Sequence, residues 1–206
     1  MDPTQQTYDE LRQAYDYFNA RLFAGGLPHC LITMQRKGRT LGYFAGERFG
    51  TRDGESVTDE IAMNPVHFRG RTVEQTLSTL VHEMTHVQQH HQGNPSRAGY
   101  HNAEWGGLMR VVGLMPSNTG EPGGKATGQR VTHYVEVDGP FDLACRALVA
   151  TGFSLAYVDL WDDAAKRGKK AASKTKYTCP DCEANAWAKP DMKLVCGDCD
   201  QPMRPE

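Results

Sequence analysis

His82-Glu83-Met84-Thr85-His86 is the segment of this chain best equipped for chemistry. Two histidines four apart on a helix project from one face, close enough to share a metal ion. A zinc ion held there would activate water, and the glutamate between them is placed to take the proton. The segment therefore points to metal-assisted hydrolysis, with His82 and His86 as ligands and Glu83 as general base. A second donor set lies further along the chain. Cys179-Pro180-Asp181-Cys182 and Cys196-Gly197-Asp198-Cys199 bracket a short segment carrying Trp187, Leu194 and Val195. Two C-x-x-C pairs at this separation fit a closed four-thiolate structural zinc site. Roughly thirty residues bury too little apolar surface to fold alone, so the ion would hold that piece together. Two zinc ions are expected, one catalytic and one structural.

The histidines need a helix, and the flanking residues predict one. Thr72-Val73-Glu74-Gln75 has the T-x-x-Q form of a capping box. Val73, Leu77, Leu80, Val81, Met84 and Val87 follow at the spacing of an apolar stripe, uninterrupted until Gly93-Asn94-Pro95. His82 and His86 lie beside that stripe, bordering the core and facing a cleft. His90 and His91, at the frayed end, are expected to be solvated.

A catalytic zinc usually takes three protein ligands and keeps one position open. A third histidine at position 92, after a glycine at 89, is excluded because both positions are glutamine. Glu104 and His101 remain as candidates, in Gly99-Tyr100-His101-Asn102-Ala103-Glu104-Trp105, where Asn102 reads as the N-cap of a helix carrying Trp105, Leu108, Met109 and Val112. His82-Glu83-x-x-His86 followed by His101-x-x-Glu104-Trp105 resembles the SprT/Spartan group of zinc metalloproteases. Tyr15 to Pro28, with its Phe18-Asn19 and Phe23-Ala24-Gly25-Gly26-Leu27-Pro28, resembles the opening helix of that group, and the paired cysteines resemble the tail of bacterial members. The resemblance implies His101 as third ligand, with Glu104 as a supporting or capping residue. It also implies cleavage of proteins bound or crosslinked to DNA, with DNA, including single strands, as a partner. Asn102-Ala103 departs from the Gly-Pro of eukaryotic members, and partner-directed recruitment of the eukaryotic kind is not expected.

Composition sets the outer limits. The chain has 206 residues, 39% hydrophobic and 23% charged, which is the make-up of an ordinary globular protein. No run approaches the ~18 apolar residues of a membrane helix, and Met1 to Gln6 lacks the features of a secretory signal. A cytoplasmic location is the expectation. The cysteine pairs then read as metal ligands rather than disulfides, and Cys30 and Cys145 as buried thiols. The net charge of −2 excludes a general polycation. Lys166, Arg167, Lys169, Lys170, Lys174 and Lys176 nevertheless form a short basic run beside the cysteines, a candidate for DNA phosphates.

The remaining pattern supplies the frame. An amphipathic helix covers residues 4–23, starting from Thr7 or one turn earlier from Asp2-Pro3. Segments 31–34, 40–44 and 60–63 read as strands, the first two joined by Arg36-Lys37-Gly38-Arg39 into a hairpin. Gly120 to Gly128 is a glycine-rich loop, a flap or a surface connection. Val131 to Val137 alternates as a strand, placing His133 and Tyr134 on opposite faces, so at most one can reach the cleft as an oxyanion or substrate contact. Phe141 to Val149 is a short helix. The expected fold is α+β: a zincin-like core of helices on a small antiparallel sheet over residues 1–161, a basic linker over 162–176 and a zinc ribbon over 177–206. The best reading is a zinc endopeptidase with DNA contacted through linker and ribbon. A non-catalytic nucleic-acid adapter, or a peptidase acting on a regulatory protein without DNA, are the alternatives.

Overall fold

The long helix α2 (Val73–Gln92) organises the larger part of the molecule. Thr72 Oγ1 accepts from the Gln75 N–H at 3.2 Å and Gln75 Oε1 accepts from the Thr72 N–H at 3.0 Å, so the box predicted from four residues is closed. Leu77, Leu80, Val81, Met84 and Val87 are buried along one side. The computed structural model describes residues 2–160 and 174–206. They fall into two compact units, Met1–Asp159 and Leu160–Glu206.

In the first unit, α1 (Pro3–Leu22) starts at the earlier of its two candidate caps. Asp2 accepts from the Thr4 N–H at 2.7 Å, and Pro3 occupies the first turn, where no amide bond is lost. Leu11, Tyr15 and Phe18 enter the core. In the last turn of α1, Asn19 both donates to and accepts from the Leu27 backbone, at 3.0 and 3.1 Å, which locks the Gly25-Gly26 turn.

Three strands follow: β1 (Leu31–Met34), β2 (Gly42–Gly50) and β3 (Val57–Met63). The predicted hairpin between the first two does not form. β3 inserts between them, antiparallel to β2 and parallel to β1, so the sheet is mixed rather than antiparallel. The reason is burial. Ile61, Ala62 and Met63 are at most 1% exposed, and the most buried strand takes the central position of this sheet. β2 is left as an edge.

After α2 come α3 (Ala103–Val111), β4 (Leu114–Ser117), β5 (Thr132–Val135) and α4 (Pro140–Ala150). β4 was not anticipated; Gly113, at φ 82°, ends the helix and lets the chain pair antiparallel with β5. Phe141, Cys145 and Leu148 of α4 are buried with the side chains of α1 and α2, whereas Cys30 is only half-buried. The second unit contains β6 (Thr175–Thr178), β7 (Asn185–Ala188) and β8 (Arg204–Pro205), with β6 central and both pairings antiparallel. The architecture is mixed α+β. Among the described residues no helix is long and apolar enough to cross a membrane.

Candidate metal centres

His82 and His86 project from one side of α2 as their spacing requires, and His101 comes from the residue before the Asn102 cap of α3. One ring nitrogen from each of the three lies within 4.8 Å of the others. Trp105, fully buried, is the floor beneath them, with its ring centroid 4.9, 5.1 and 4.2 Å from those of His82, His86 and His101. The site lies in a cleft of about 910 Å³ that is also lined by Gly42 to Gly46 of β2 and by Tyr100, Arg130 and His133.

Hydrogen bonds decide which nitrogen His82 and His101 present. The Ser78 hydroxyl donates to the Gln75 carbonyl at 2.9 Å, so its oxygen accepts from His133 Nε2–H at 3.0 Å. His133 Nδ1 then accepts from His82 Nδ1–H at 3.1 Å. That leaves the His82 Nε2 lone pair for a metal. His101 reaches the same state by another route. Its backbone pairs with Gly128 in both directions, at 2.8 and 3.0 Å, and its Nδ1–H donates to the Gly128 carbonyl at 3.2 Å. The end of the glycine-rich loop is thus a brace for a candidate ligand.

The electrostatics suit neutral donors. Burial pushes His82 well below the usual histidine range, with the neighbouring imidazoles adding to the effect. Burial and then His101 bring His86 to about 3, and burial also lowers His101. Burial and then Arg71 bring His133 to about 4. At neutral pH all of these rings are therefore uncharged, the form that binds a metal. Glu83, 5% exposed, is pushed up to about 8 by burial, while the Phe44 amide pulls the other way. A carboxyl group poised near neutrality, beside a site for a cation that would favour its ionised form, suits a proton carrier. The donor set, its protonation state and its clustering all fit zinc.

Glu104 is not turned towards the three rings. Its Oε2 accepts from Gln89 Nε2 at 2.7 Å and from the Asn94 amide at 2.8 Å. Gln89 also donates to the Asn102 side chain at 2.8 Å. This knot ties the end of α2 to the start of α3 and so sets where His101 emerges. Of the two strand residues, His133 lines the cleft and Tyr134 is not among the lining residues. Trp105 as a floor, the Ser78–His133 relay and the Gly128 brace were not recognised in the sequence. Their partners lie up to 55 positions apart, and no local pattern marks them.

The cysteine site is built from two matching knuckles. Cys179 N–H donates to the Ala184 carbonyl and its own carbonyl accepts from Glu183, at 2.9 and 3.1 Å; Cys196 does the same with Gln201 and Asp200, at 2.8 and 2.9 Å. Glu183 and Asp200 both take left-handed backbone, φ 58° and 52°, to close these turns. One sulfur from each of Cys179, Cys182, Cys196 and Cys199 lies within 4.8 Å of the rest. Cys182 and Cys196 are 3.6 Å apart, near the about 3.8 Å edge of a zinc–thiolate tetrahedron. Backbone amides of Cys182 and Asp181 bring Cys179 down to about 7, towards the thiolate a metal requires.

Of the basic run, Lys166, Arg167, Lys169 and Lys170 lie outside the described residues. Lys174 is exposed, and Lys176 pairs with Glu206 at 2.6 Å. His91 is exposed, as expected, yet its Nε2 lies 2.6 Å from Asp59; His90 is half-buried instead, its ring against Phe44 with centroids 5.5 Å apart.

Comparison with known proteins agrees with the motifs. A Salmonella typhimurium protein, described as an uncharacterized protein in the mucB 3' region, is 54% identical over 59 residues, covering 29% of this chain and 80% of the relative. The model of the SprT-like family matches residues 11–127, a span holding the latter part of α1, strands β1 to β3, Glu83 and all three clustered histidines. The chain belongs to the SprT-like family.

Proposed function

We propose that this protein is a zinc-dependent endopeptidase with a zincin-like core, acting on proteins bound or crosslinked to DNA. The observation that carries the hydrolytic reading is the convergence of three neutral imidazoles beside a buried carboxyl group, in a cleft bounded by a strand edge. His82, His86 and His101 would hold the zinc, which when bound supplies a Lewis acid that activates water and polarises a carbonyl. Glu83 accepts the proton of the attacking water and passes it to the leaving amine nitrogen. Trp105 keeps solvent from beneath the rings. His133, with both nitrogens engaged, orients His82 rather than serving an oxyanion. Gly42 to Gly46 of β2 offer backbone N–H and C=O groups along the cleft, where an extended peptide can add as a further strand.

DNA enters this reading through the basic run, a ribbon over 177–206 held by Cys179, Cys182, Cys196 and Cys199, and the family resemblance. Lys174, together with the run at 166–170, would contact phosphates, and Lys176 less so because Glu206 already neutralises it. The test is cleavage of a DNA-bound protein by the purified chain, with and without single-stranded DNA, with Glu83→Gln as control. DNA-stimulated cleavage that Glu83→Gln abolishes is expected. Cleavage indifferent to DNA removes the DNA part, and cleavage surviving in Glu83→Gln removes the hydrolytic assignment. Single-stranded DNA binding should also weaken steeply with salt.

A further inference from the structure

The last turn of α2 carries a donor cluster that the histidine triad does not use. Asp59, on β3, is 3% exposed. Its Oδ1 accepts from the Glu47 N–H at 2.8 Å, and its Oδ2 lies 2.6 Å from His91 Nε2. The Glu47 amide reaches it because β2 is irregular here: its register against β3 shifts between Ala45 and Phe49, and Glu47 adopts φ 50°. His90 comes to the same place. Gly46 provides the room, since a Cβ at that position would stand 2.7 Å from the imidazole. One ligand atom from each of Asp59, His90 and His91 lies within 4.8 Å of the others.

Neighbouring residues on a helix ordinarily point about 100° apart and do not converge. Here the two rings meet edge to face at 4.9 Å, over a strand that has been bent and thinned beneath them. The hydrogen bond between His91 and Asp59 accounts for His91 and the buried carboxylate. It does not account for His90 being brought against the same carboxylate over a glycine.

We propose that Asp59, His90 and His91 form a further transition-metal site, of the two-histidine, one-carboxylate type. This donor set suits zinc, cobalt or nickel, with the remaining positions filled by water. The ion would clamp the end of α2 to β3 beside the bulge of β2, at the rim of the cleft that His90, Phe44 and Gly46 line. His90 follows His86 by one helical turn, so occupancy would stiffen the wall along which an extended segment lies. The site is separate from the triad and does not depend on the peptidase reading.

The test is equilibrium dialysis of the metal-stripped full chain against defined free zinc, repeated with cobalt and followed by its visible absorption. The unmodified protein should take up an equivalent beyond those of the triad and the cysteine cluster. His90→Gln and His91→Gln should each lose that equivalent and keep the others, whereas His82→Gln should lose a different one. Circular dichroism checks folding. Should His91→Gln unfold through loss of its hydrogen bond to Asp59, His90→Gln still decides the matter. Uptake identical in the unmodified protein, His90→Gln and His91→Gln overturns the site. Failure of the triad would show instead as uptake unchanged by His82→Gln.

Discussion

The two principal donor clusters are opposites in construction. The histidine triad draws on a helix and on the residue before a helix cap, fifteen positions after His86, and is braced by a strand residue, a loop carbonyl and a tryptophan floor. The cysteine cluster draws on two local turns with the same hydrogen-bond pattern and the same left-handed residue. The first sits on a large apolar core: Leu77, Leu80, Val81, Met84, Trp105 and Met109 are buried around it. The second unit buries chiefly Tyr177, Cys179 and Cys196, while Trp187, Met192 and Val195 are exposed. One site is therefore made by its fold, and the other must make its fold. Their chemistry divides accordingly. Three neutral rings beside a carboxyl group leave room for substrate, whereas four sulfurs close the coordination sphere.

The largest expected effect follows from that asymmetry. Structural zinc sites are worth about 10–16 kcal/mol of folding free energy in small modules. Cys179→Ser should therefore unfold residues 174–206 while leaving α1 to α4 folded. Amide hydrogen exchange checks this; protection retained across β6 and β7 in the variant would break the distinction.

Next comes Glu83→Gln. It removes the proton carrier but none of the clustered imidazoles, so peptide hydrolysis should fall by about 10²- to 10⁴-fold with zinc content unchanged. Activity assay together with metal analysis reads both quantities.

The metal-stripped triad should also reveal itself by pH. His82, His86, His101 and His133 stay neutral in the fold but take up protons near 6.5 once unfolded. The unfolded state then binds more protons as the solution is acidified, and stability is lost as pH falls below about 6.5. Glu83 acts in the opposite sense. Its folded value of about 8 lies above the ordinary 4.5, so its contribution declines as pH rises between those values. Below 6.5 four histidines outweigh one carboxyl group; above it Glu83 acts alone. Stability of the larger unit should peak near pH 6.5, dropping by a few kcal/mol on the acid side and by about 2 kcal/mol towards pH 8. Glu83→Gln should flatten only the alkaline arm, as thermal unfolding in the presence of chelator would record.

The smallest effect concerns the relay. His133→Ala leaves all three clustered rings in place but frees His82 to rotate, so zinc affinity should fall about 10- to 100-fold. Competition with a chromogenic chelator measures it. An unchanged affinity would mean that the packing around Trp105 alone orients His82.

Sequence by itself determined whatever depends on neighbours along the chain. The capping box and apolar stripe of α2 set the spacing of His82, Glu83 and His86, and the Asn102 cap placed His101 at a helix start. The paired cysteines announced their own turns. These are short-range matters, settled by helix geometry and by amides that need partners. Tertiary structure alone decided the rest, because competition for burial is a property of the whole molecule. It put β3 rather than β2 beside β1, left β2 as the cleft edge, and turned His133 rather than Tyr134 inwards. It also turned Glu104 to Gln89 and Asn94, and carried His90 and His91 from an apparently frayed helix end to a buried aspartate thirty-odd residues earlier. Side chains so far apart meet only after the core has chosen which surfaces to exclude from water, and no local spacing encodes that choice.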